Sequence, residues 1–502
     1  MLGVSVSGFT KRGYLMRVSP GWPSIRDDQS ALFAGRPPFR KIGVLIDETL
    51  FAALESVSWS RDRLLFDLLQ HPFVECYRYA DDGPPPGLQA RTDFDGKEYF
   101  PGWAVVSEAS PPTPGFPRGV REVRYIRDNS LISASIFKNS PEHAARDAST
   151  AAYVEYPGEI ASVRREADAL AALVGEAIGA DLFVTDRRFL HESTWKVAEP
   201  GICSPGEALV ILGLYLRAQG QFVVSQSRSA KRTVSRGSYY SSAARELLTL
   251  SERMLAACGQ HTQESDDDGP TLLMWSAIDR LGRALLCRDE VHLALCRSQC
   301  ADAADEALRA LDAFALWLAG ALDAIGRIVH TALGLTGSVR DVSWRRDSWI
   351  KNVREAAPDL GAIVGRGSPG ERTLTILGTL RNSVHGEATV SVPVGGASAT
   401  RAWVRVSRED SRVLQSAFAS LGGEAAWGVR FSADERLYID PTTLVEKLLR
   451  SALSLLNNIL EMTPIERLCS MGIHDLDKVR IDPDQEPHTE KNRQSIVWQL
   501  GF

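Results

Sequence analysis

Gly179-Ala180-Asp181-Leu182-Phe183-Val184-Thr185-Asp186-Arg187-Arg188-Phe189 reads as a small-residue turn, a short apolar run and an acid at its end. An unbroken apolar run of this length suits a strand buried on both faces, as in a parallel sheet. The same pattern stands near the start of the chain, where Gly43-Val44-Leu45-Ile46 runs into Asp47. In open sheets of this kind, ligands gather outside the carboxyl ends of the strands. Asp47 and Asp186 are therefore expected at one edge, and two carboxylates there suit a hard divalent cation that prefers oxygen ligands.

A third acid, Asp168, lies on the stretch leading into the second strand. From Ile160 to Gly179 the pattern is helical, with Leu170, Leu173, Val174, Ala177 and Ile178 at three- and four-residue spacing. Gly179 is the expected stop. A helix feeding a strand packs on the sheet face and can bring its acid to the strand end. Three carboxylates around one pocket repel each other, and Mg²⁺ or Mn²⁺ would offset the repulsion and activate water for attack on a phosphodiester. Each acid also has a purely structural reading. Asp47 could cap a helix starting near Thr49, Asp186 could satisfy backbone donors in the turn before Phe189, and Asp168 could be a solvated helix-face charge.

The 502 residues are 44% hydrophobic, enough for a sizeable core, and the length allows about two to four domains. A net charge of −6 is not that of a generic nucleic-acid coat, so any basic surface is local. None of the seven cysteines forms a pair with the two-residue gap of a zinc knuckle or redox motif, which fits ordinary thiols in a reducing cytosol. The first residues lack the apolar core of a signal peptide, and no stretch is long and apolar enough to span a bilayer. The expected location is cytoplasmic, with no membrane partner.

Residues 1–40 form an N-terminal extension rich in breakers. Residues 41–195 alternate strand and helix patterns, interrupted by the Pro-rich segments 82–87 and 111–115. Residues 196–300 read as a helical connector opened by Ser204-Pro205-Gly206-Glu207, with Ser204 as cap. The basic run Arg228 to Arg236 interrupts it as a loop. There Lys231 and Arg232 could meet RNA phosphates, with Tyr239 and Tyr240 as stacking rings; a solvated loop is the plainer alternative. Residues 301–465 are strongly helical, beginning with the apolar stripe Leu308, Leu311, Phe314, Leu318, Leu322, Ile325 and Val329. Ala402 to Val406 alternates like a small hairpin sheet, and Asp440-Pro441 opens a further long helix. The tail, 466–502, is polar and expected to be loosely ordered after about Asp482. His330 and the scattered Trp317, Trp344, Trp349 and Trp403 read as core residues.

The carboxylate pattern resembles the PIN domain, a family of metal-dependent nucleases, mostly ribonucleases. Val44-Leu45-Ile46-Asp47 resembles its opening strand. Asp168-Ala169-Leu170-Ala171-Ala172, followed by Gly179 to Phe189, resembles its closing acidic helix, turn and strand. The resemblance implies metal-binding, catalytic roles for Asp47, Asp168 and Asp186, with Mg²⁺ or Mn²⁺ as cofactor. The Pro-rich segments lengthen the interval between Asp47 and Asp168 beyond that of a compact member. The family's remaining acid has three candidates here, Glu48, Glu75 and Glu159.

Leu380-Arg381-Asn382-Ser383-Val384-His385-Gly386 is a second signal. On a helix, Arg381 and His385 are four apart, roughly 40° from one another, beside Leu374 and Leu377. They are expected to point toward a helix interface. His moves protons near neutral pH, and Arg holds a phosphate bidentately. With the 2′-hydroxyl of RNA as nucleophile, the pair suits cleavage without a metal. The motif resembles the HEPN superfamily of helical bundles, whose nucleases carry Arg, a polar residue (here Asn382) and His, and typically dimerise. Only three residues separate Arg381 from His385, where the family mostly has four to six. A structural alternative has Arg381, Asn382 and His385 satisfying helix-end carbonyls and a carboxylate such as Glu387.

The expectation is a multidomain protein with an N-terminal α/β domain built on a mostly parallel sheet (PIN-like), and a C-terminal, mainly α-helical bundle (HEPN-like) carrying a small β insertion. Its expected function is metal-dependent hydrolysis of single-stranded RNA, as in a toxin or anti-phage effector, with homodimerisation through the helical domain. The alternatives are a non-catalytic RNA-binding or assembly protein and a metal-independent endoribonuclease.

Overall fold

A computed structural model describes residues 40–502 except 93–97, 109–119, 129, 196–199, 227–230, 297–300, 384–389, 395–400, 433–434, 473–475 and 477–489. Strand β1 (Ile42–Asp47) is followed by helices α1 (Glu48–Ser56) and α2 (Arg61–Leu69), then β2 (Val74–Tyr79). A two-stranded pair, β3 (Arg91–Thr92) and β4 (Glu98–Tyr99), precedes an antiparallel meander of β5 (Val105–Glu108), β6 (Val120–Arg127) and β7 (Ser130–Phe137). Helices α3 (Ser140–Asp147) and α4 (Gly158–Ala177) lead to β8 (Leu182–Val184), α5 (Arg188–Glu192), β9 (Gly201–Cys203) and α6 (Pro205–Ala218).

The main sheet is parallel throughout, in the order β2-β1-β8-β9. Its central strand is buried along its whole length because the pleat alternates two apolar faces. Ile42, Val44 and Ile46 face a cluster with Leu64, Leu68 and Leu212 from α2 and α6. Leu45 faces the opposite cluster with Ala169, Ala172 and Phe183, toward α4. Each such buried aliphatic side chain contributes about 1.5–3 kcal/mol, and a strand covered on both faces has no register freedom. Gly179, with φ +60, turns the chain from α4 into β8, as its position predicts.

After β1 the chain moves to one side, to β2, and returns on the other side of β1 as β8. The strand order therefore reverses between β1 and β8, and a crevice at their carboxyl ends follows from that reversal. The sheet also reaches eight residues past the expected limit at 195, since β9 pairs with β8 through Val184 and Cys203. The meander is a second departure from the expected strand–helix alternation. Its β6 has the mixed burial of a half-covered antiparallel strand.

Beyond α6 come β10 (Val223–Gln226) and β11 (Lys231–Thr233), then α7 (Arg236–Leu247), α8 (Ser251–Ser265), α9 (Gly269–Leu295) and α10 (Ala301–Ala332). The basic run is thus not only a loop. Lys231 and Arg232 lie on a strand paired antiparallel with β10, and Ser235 caps α7 by accepting from Ser238 N. Tyr239 and Tyr240 are buried in α7 and present no stacking face.

Helices α9 and α10 pack along each other and carry α11 (Asp347–Ala356), α12 (Pro358–Ile363), α13 (Pro369–Ser383), α14 (Arg408–Ser420) and α15 (Pro441–Met462). A four-stranded antiparallel sheet, β12 (Val390–Val394), β13 (Arg401–Arg405), β14 (Val429–Phe431) and β15 (Leu437–Ile439), lies against this bundle. The expected stripe on α10 is buried at Leu311, Phe314, Leu318, Leu322, Ile325 and Val329. Trp344, Trp349 and His330 are buried together, with Trp349 Nε1 donating to His330 Nδ1 at 3.3 Å.

The end of the chain corrects the expectation of a loose tail. Helix α16 (Glu490–Gln499) packs on α6, α7 and β10, with Ser495, Ile496, Gln499 and Leu500 buried. Gln499 Nε2 donates to Val223 O at 2.9 Å, so polar side chains that read as solvated satisfy buried backbone instead. No helix among the described residues is long and apolar enough to cross a membrane.

Candidate functional site

The crevice at the ends of β1 and β8 holds Asp47, Asp168 and a residue that pattern reading passed over, Arg187. Asp47 occupies the N-cap position of α1 without capping it. Its carboxylate turns into the crevice instead. Oδ1 accepts from Arg187 Nε at 2.9 Å and lies 2.9 Å from Nη2. Oδ2 accepts from the Thr185 hydroxyl. Thr185 Oγ1 in turn accepts from Arg187 N at 3.1 Å, which fixes the turn that follows β8.

Asp168 is not a solvated helix-face charge. It is buried on the inner side of α4. Its Oδ1 accepts from Arg187 Nη1 at 3.4 Å, while Oδ2 accepts from Tyr153 OH at 2.9 Å and from Phe189 N at 3.2 Å. The backbone N–H of Phe189, at the end of the turn where Asp186 had its structural alternative, is thus taken by Asp168. Burial raises the Asp168 carboxyl above its usual range, against the opposing pull of Arg187. The Tyr153 phenol is pushed up to about 12 by burial and by Asp168. Tyr153 holds this position with φ +65, an unusual backbone state for an aromatic residue.

Arg187 closes the arrangement. Its side chain is only 15% exposed, and its Nη2 also donates to Asp81 Oδ1 at 3.1 Å. Its guanidinium lies 5.6 Å from the Tyr79 ring centroid. Burial works against its charge, and the carboxylates of Asp47 and Asp81 overcome that, so its proton is held more tightly than usual. Three carboxyl groups surround this one guanidinium.

The structure thus brings Asp47 and Asp168 onto one cation across 121 residues of sequence, and leaves Asp186 exposed. Among the candidates for a further acid, Glu48 pairs with Arg78 at 3.4 Å, Glu75 pairs with Arg127 at 3.4 Å, and Glu159 is exposed. Asp81, two residues past the end of β2, is the further acid that reaches Arg187. Sequence offered one signal for Arg187, its place directly after the strand-end acid. A cation so close to paired carboxylates is a candidate counter-ion.

Mg²⁺ or Mn²⁺ does not fit this arrangement. All four oxygens of Asp47 and Asp168 already accept from the chain's own donors, and the guanidinium fills the space between them. Among the described residues no group of three or more His, Cys, Asp or Glu is placed to hold a metal ion.

The second motif is only partly described. His385 and Glu387 lie outside the described residues. Arg381 does not face into the bundle; it is about half exposed at the last turn of α13, where Nη1 donates to Asp323 Oδ2 on α10 at 3.3 Å. Asn382 is exposed. A helix-end arginine reaching a neighbouring helix's carboxylate accounts for this position without a catalytic role. Arg232 is half-buried on β11, remote in sequence from both acids; the Lys231 side chain is outside the description. Compared with protein-family models, with curated proteins and with solved structures, the chain finds no match in any of the three.

Proposed function

We propose that this is an RNA-directed protein of nuclease type, organised as a PIN-like α/β domain and a HEPN-like helical domain, and that with Arg187 seated it binds RNA without cutting it. One observation carries this reading. Two acids far apart in sequence converge at the crevice where the strand order reverses, the place where open parallel sheets bind ligands, yet every oxygen of both is engaged by the chain itself. The convergence supports a site; the engagement supports a resting or non-cutting one. RNA enters through the two resemblances, at Asp47 and Asp168 and at Arg381, Asn382 and His385. The C-terminal region would serve dimerisation or RNA positioning.

The test uses end-labelled single-stranded RNA with Mn²⁺ and, separately, with EDTA. The expected result is a mobility shift with intact RNA in both. Cleavage that EDTA and Asp47→Asn abolish would refute this reading and restore metal-dependent hydrolysis. EDTA-resistant cleavage lost in His385→Ala, with cyclic phosphate ends, would move the chemistry to the helical domain. Absence of any shift would remove RNA as the partner.

A further inference from the structure

The helical region holds a cleft of about 690 Å³, within the roughly 300–1,000 Å³ of small-molecule sites. Its walls are the end of α12, the start of α13, residues 421–427 after α14 and one face of α15, none of which contributes to the Asp47 crevice. Gly370 sets one wall: a Cβ there would collide with Ile363 O and Leu455 Cδ1 and push α13 away from α12 and α15. On α15, Leu444, Leu448, Leu449 and Leu456 are buried in the core. Lys447, Arg450, Ser451, Ser454 and Asn458 recur at three- and four-residue spacing along the cleft. A solvated helix face ordinarily mixes charge signs. This one carries two cations, and among the described residues no Asp or Glu lines the cleft. Lys447 is half-buried and makes no hydrogen bond or ion pair among the described residues. Arg450 is anchored, with Nη2 donating to Gly501 O at 2.8 Å and the guanidinium 4.8 Å from the Phe502 ring centroid. Burial makes its charge harder to hold than usual, against the pull of Glu446, and the like charges of Arg288 and Arg61 add to that strain. The remaining walls present Ile363, Leu421 and Trp427.

We propose that this cleft binds a small phosphate ester, its phosphate held by Lys447 with the Ser451 and Ser454 hydroxyls, and its apolar body against Ile363, Leu421 and Trp427. Arg450 supplies fixed positive charge at the base of the site. The excess of cations calls for an anion, because a half-buried ammonium without a partner gains most from a charge-assisted hydrogen bond. The donor set favours phosphate over carboxylate: several terminal oxygens and close to two negative charges match two cations and two hydroxyls. The apolar walls favour an ester over bare phosphate, since its organic part buries surface that the inorganic ion cannot.

The experiment titrates the full chain with phenyl phosphate, inorganic phosphate and benzoate, by calorimetry and by ³¹P resonance broadening for the two phosphates. Phenyl phosphate is expected to bind stoichiometrically and more tightly than either of the others. Equal binding of inorganic phosphate would overturn the role of the apolar walls, equal binding of benzoate the choice of phosphate, and no binding of any probe the whole proposal. Lys447→Met is expected to weaken phenyl phosphate by roughly tenfold or more, the range of a hydrogen bond to a charged group, and Lys447→Arg to restore most of it. A folded Lys447→Met that binds as the wild type does would overturn the assignment. Ser454 is exposed, so Ser454→Glu tests the site with little risk to folding; its added negative charge is expected to abolish binding, and unchanged binding would overturn the proposal. Single-stranded RNA is added as competitor to the phenyl phosphate complex. It is expected to leave the complex intact, and displacement would assign the cleft to RNA instead of a small molecule.

Discussion

Replacing Glu446 with Gln tests the charge balance at the heart of the helical region. Glu446 on α15 is fully buried, as are Arg288 and His292 on α9. Glu446 Oε1 accepts from Arg288 Nε and lies 2.8 Å from His292 Nε2. Beside it, Asp289 Oδ2 accepts from Arg217 Nε at 2.6 Å and from Tyr240 OH at 2.7 Å, while its Oδ1 is 3.6 Å from Arg288 Nη1. Two guanidinia and two carboxylates therefore balance in a region without water access. Glu446→Gln leaves both arginines to share Asp289, a net buried positive charge. Breaking a buried pair by removing one partner costs about 3–5 kcal/mol, or a loss in Tm of about 6–20 °C for a cooperative unit of this size.

The assay is thermal and urea unfolding followed by circular dichroism. Arg288→Met combined with Glu446→Leu serves as control, because an apolar replacement of both partners is expected to be near neutral. The pH dependence adds a second readout. Burial tends to raise the Glu446 carboxyl, but Arg288 and His292 hold it down at about 2, below its ordinary 4.5. A depressed carboxyl contributes stability above its unfolded value, and that contribution fades as pH falls from about 4.5 toward 2. His292 is lowered by burial from 6.5, so the unfolded chain takes up its proton first and stability falls below that pH as well. Wild-type stability should decline toward acid, and the lower limb should flatten in Glu446→Gln. A loss of less than about 1 kcal/mol, within the range of surface pairs, with an unchanged acid limb would refute the reasoning.

Tyr153→Phe removes one of two donors to Asp168 Oδ2 and leaves Phe189 N; a loss of about 0.5–1.5 kcal/mol is expected in urea unfolding, and no change would show that the phenol does not hold the carboxylate. Gly175→Ala would place a Cβ 2.6 Å from Pro200 Cγ and 2.9 Å from its Cδ, where the chain enters β9. Overpacking of this kind costs about 1–3 kcal/mol, and a neutral effect on melting would mean that Pro200 can withdraw.

Sequence by itself determined the elements whose signals are local. The two apolar runs became parallel neighbours, with Val44, Leu45 and Ile46 paired to Leu182, Phe183 and Val184. Ser204 and Glu207 formed the reciprocal cap that their spacing announces, and Asp440 accepts from Thr442 N at 3.0 Å at the start of α15. The stripe on α10 was legible because burial on one helix face repeats at the helical period. It also put Asp47 and Asp168 on a short list, since strand-end position and the helix–strand step limit where such acids can go.

Only the tertiary structure decided what those acids meet. Arg187 is one residue from Asp186, yet the turn after β8 directs Arg187 inward and leaves Asp186 exposed. No periodicity encodes that choice, because it depends on where the Thr185 hydroxyl and the Asp47 carboxylate lie once the sheet is formed. The same holds for α16, whose polar residues became buried partners when β10 and α6 supplied donors and acceptors for them. Local pattern specifies periodic burial, which depends on neighbours in sequence. The sign and partner of a buried charge depend on neighbours in space, and in this chain Asp47 and Arg187 come from segments 140 residues apart.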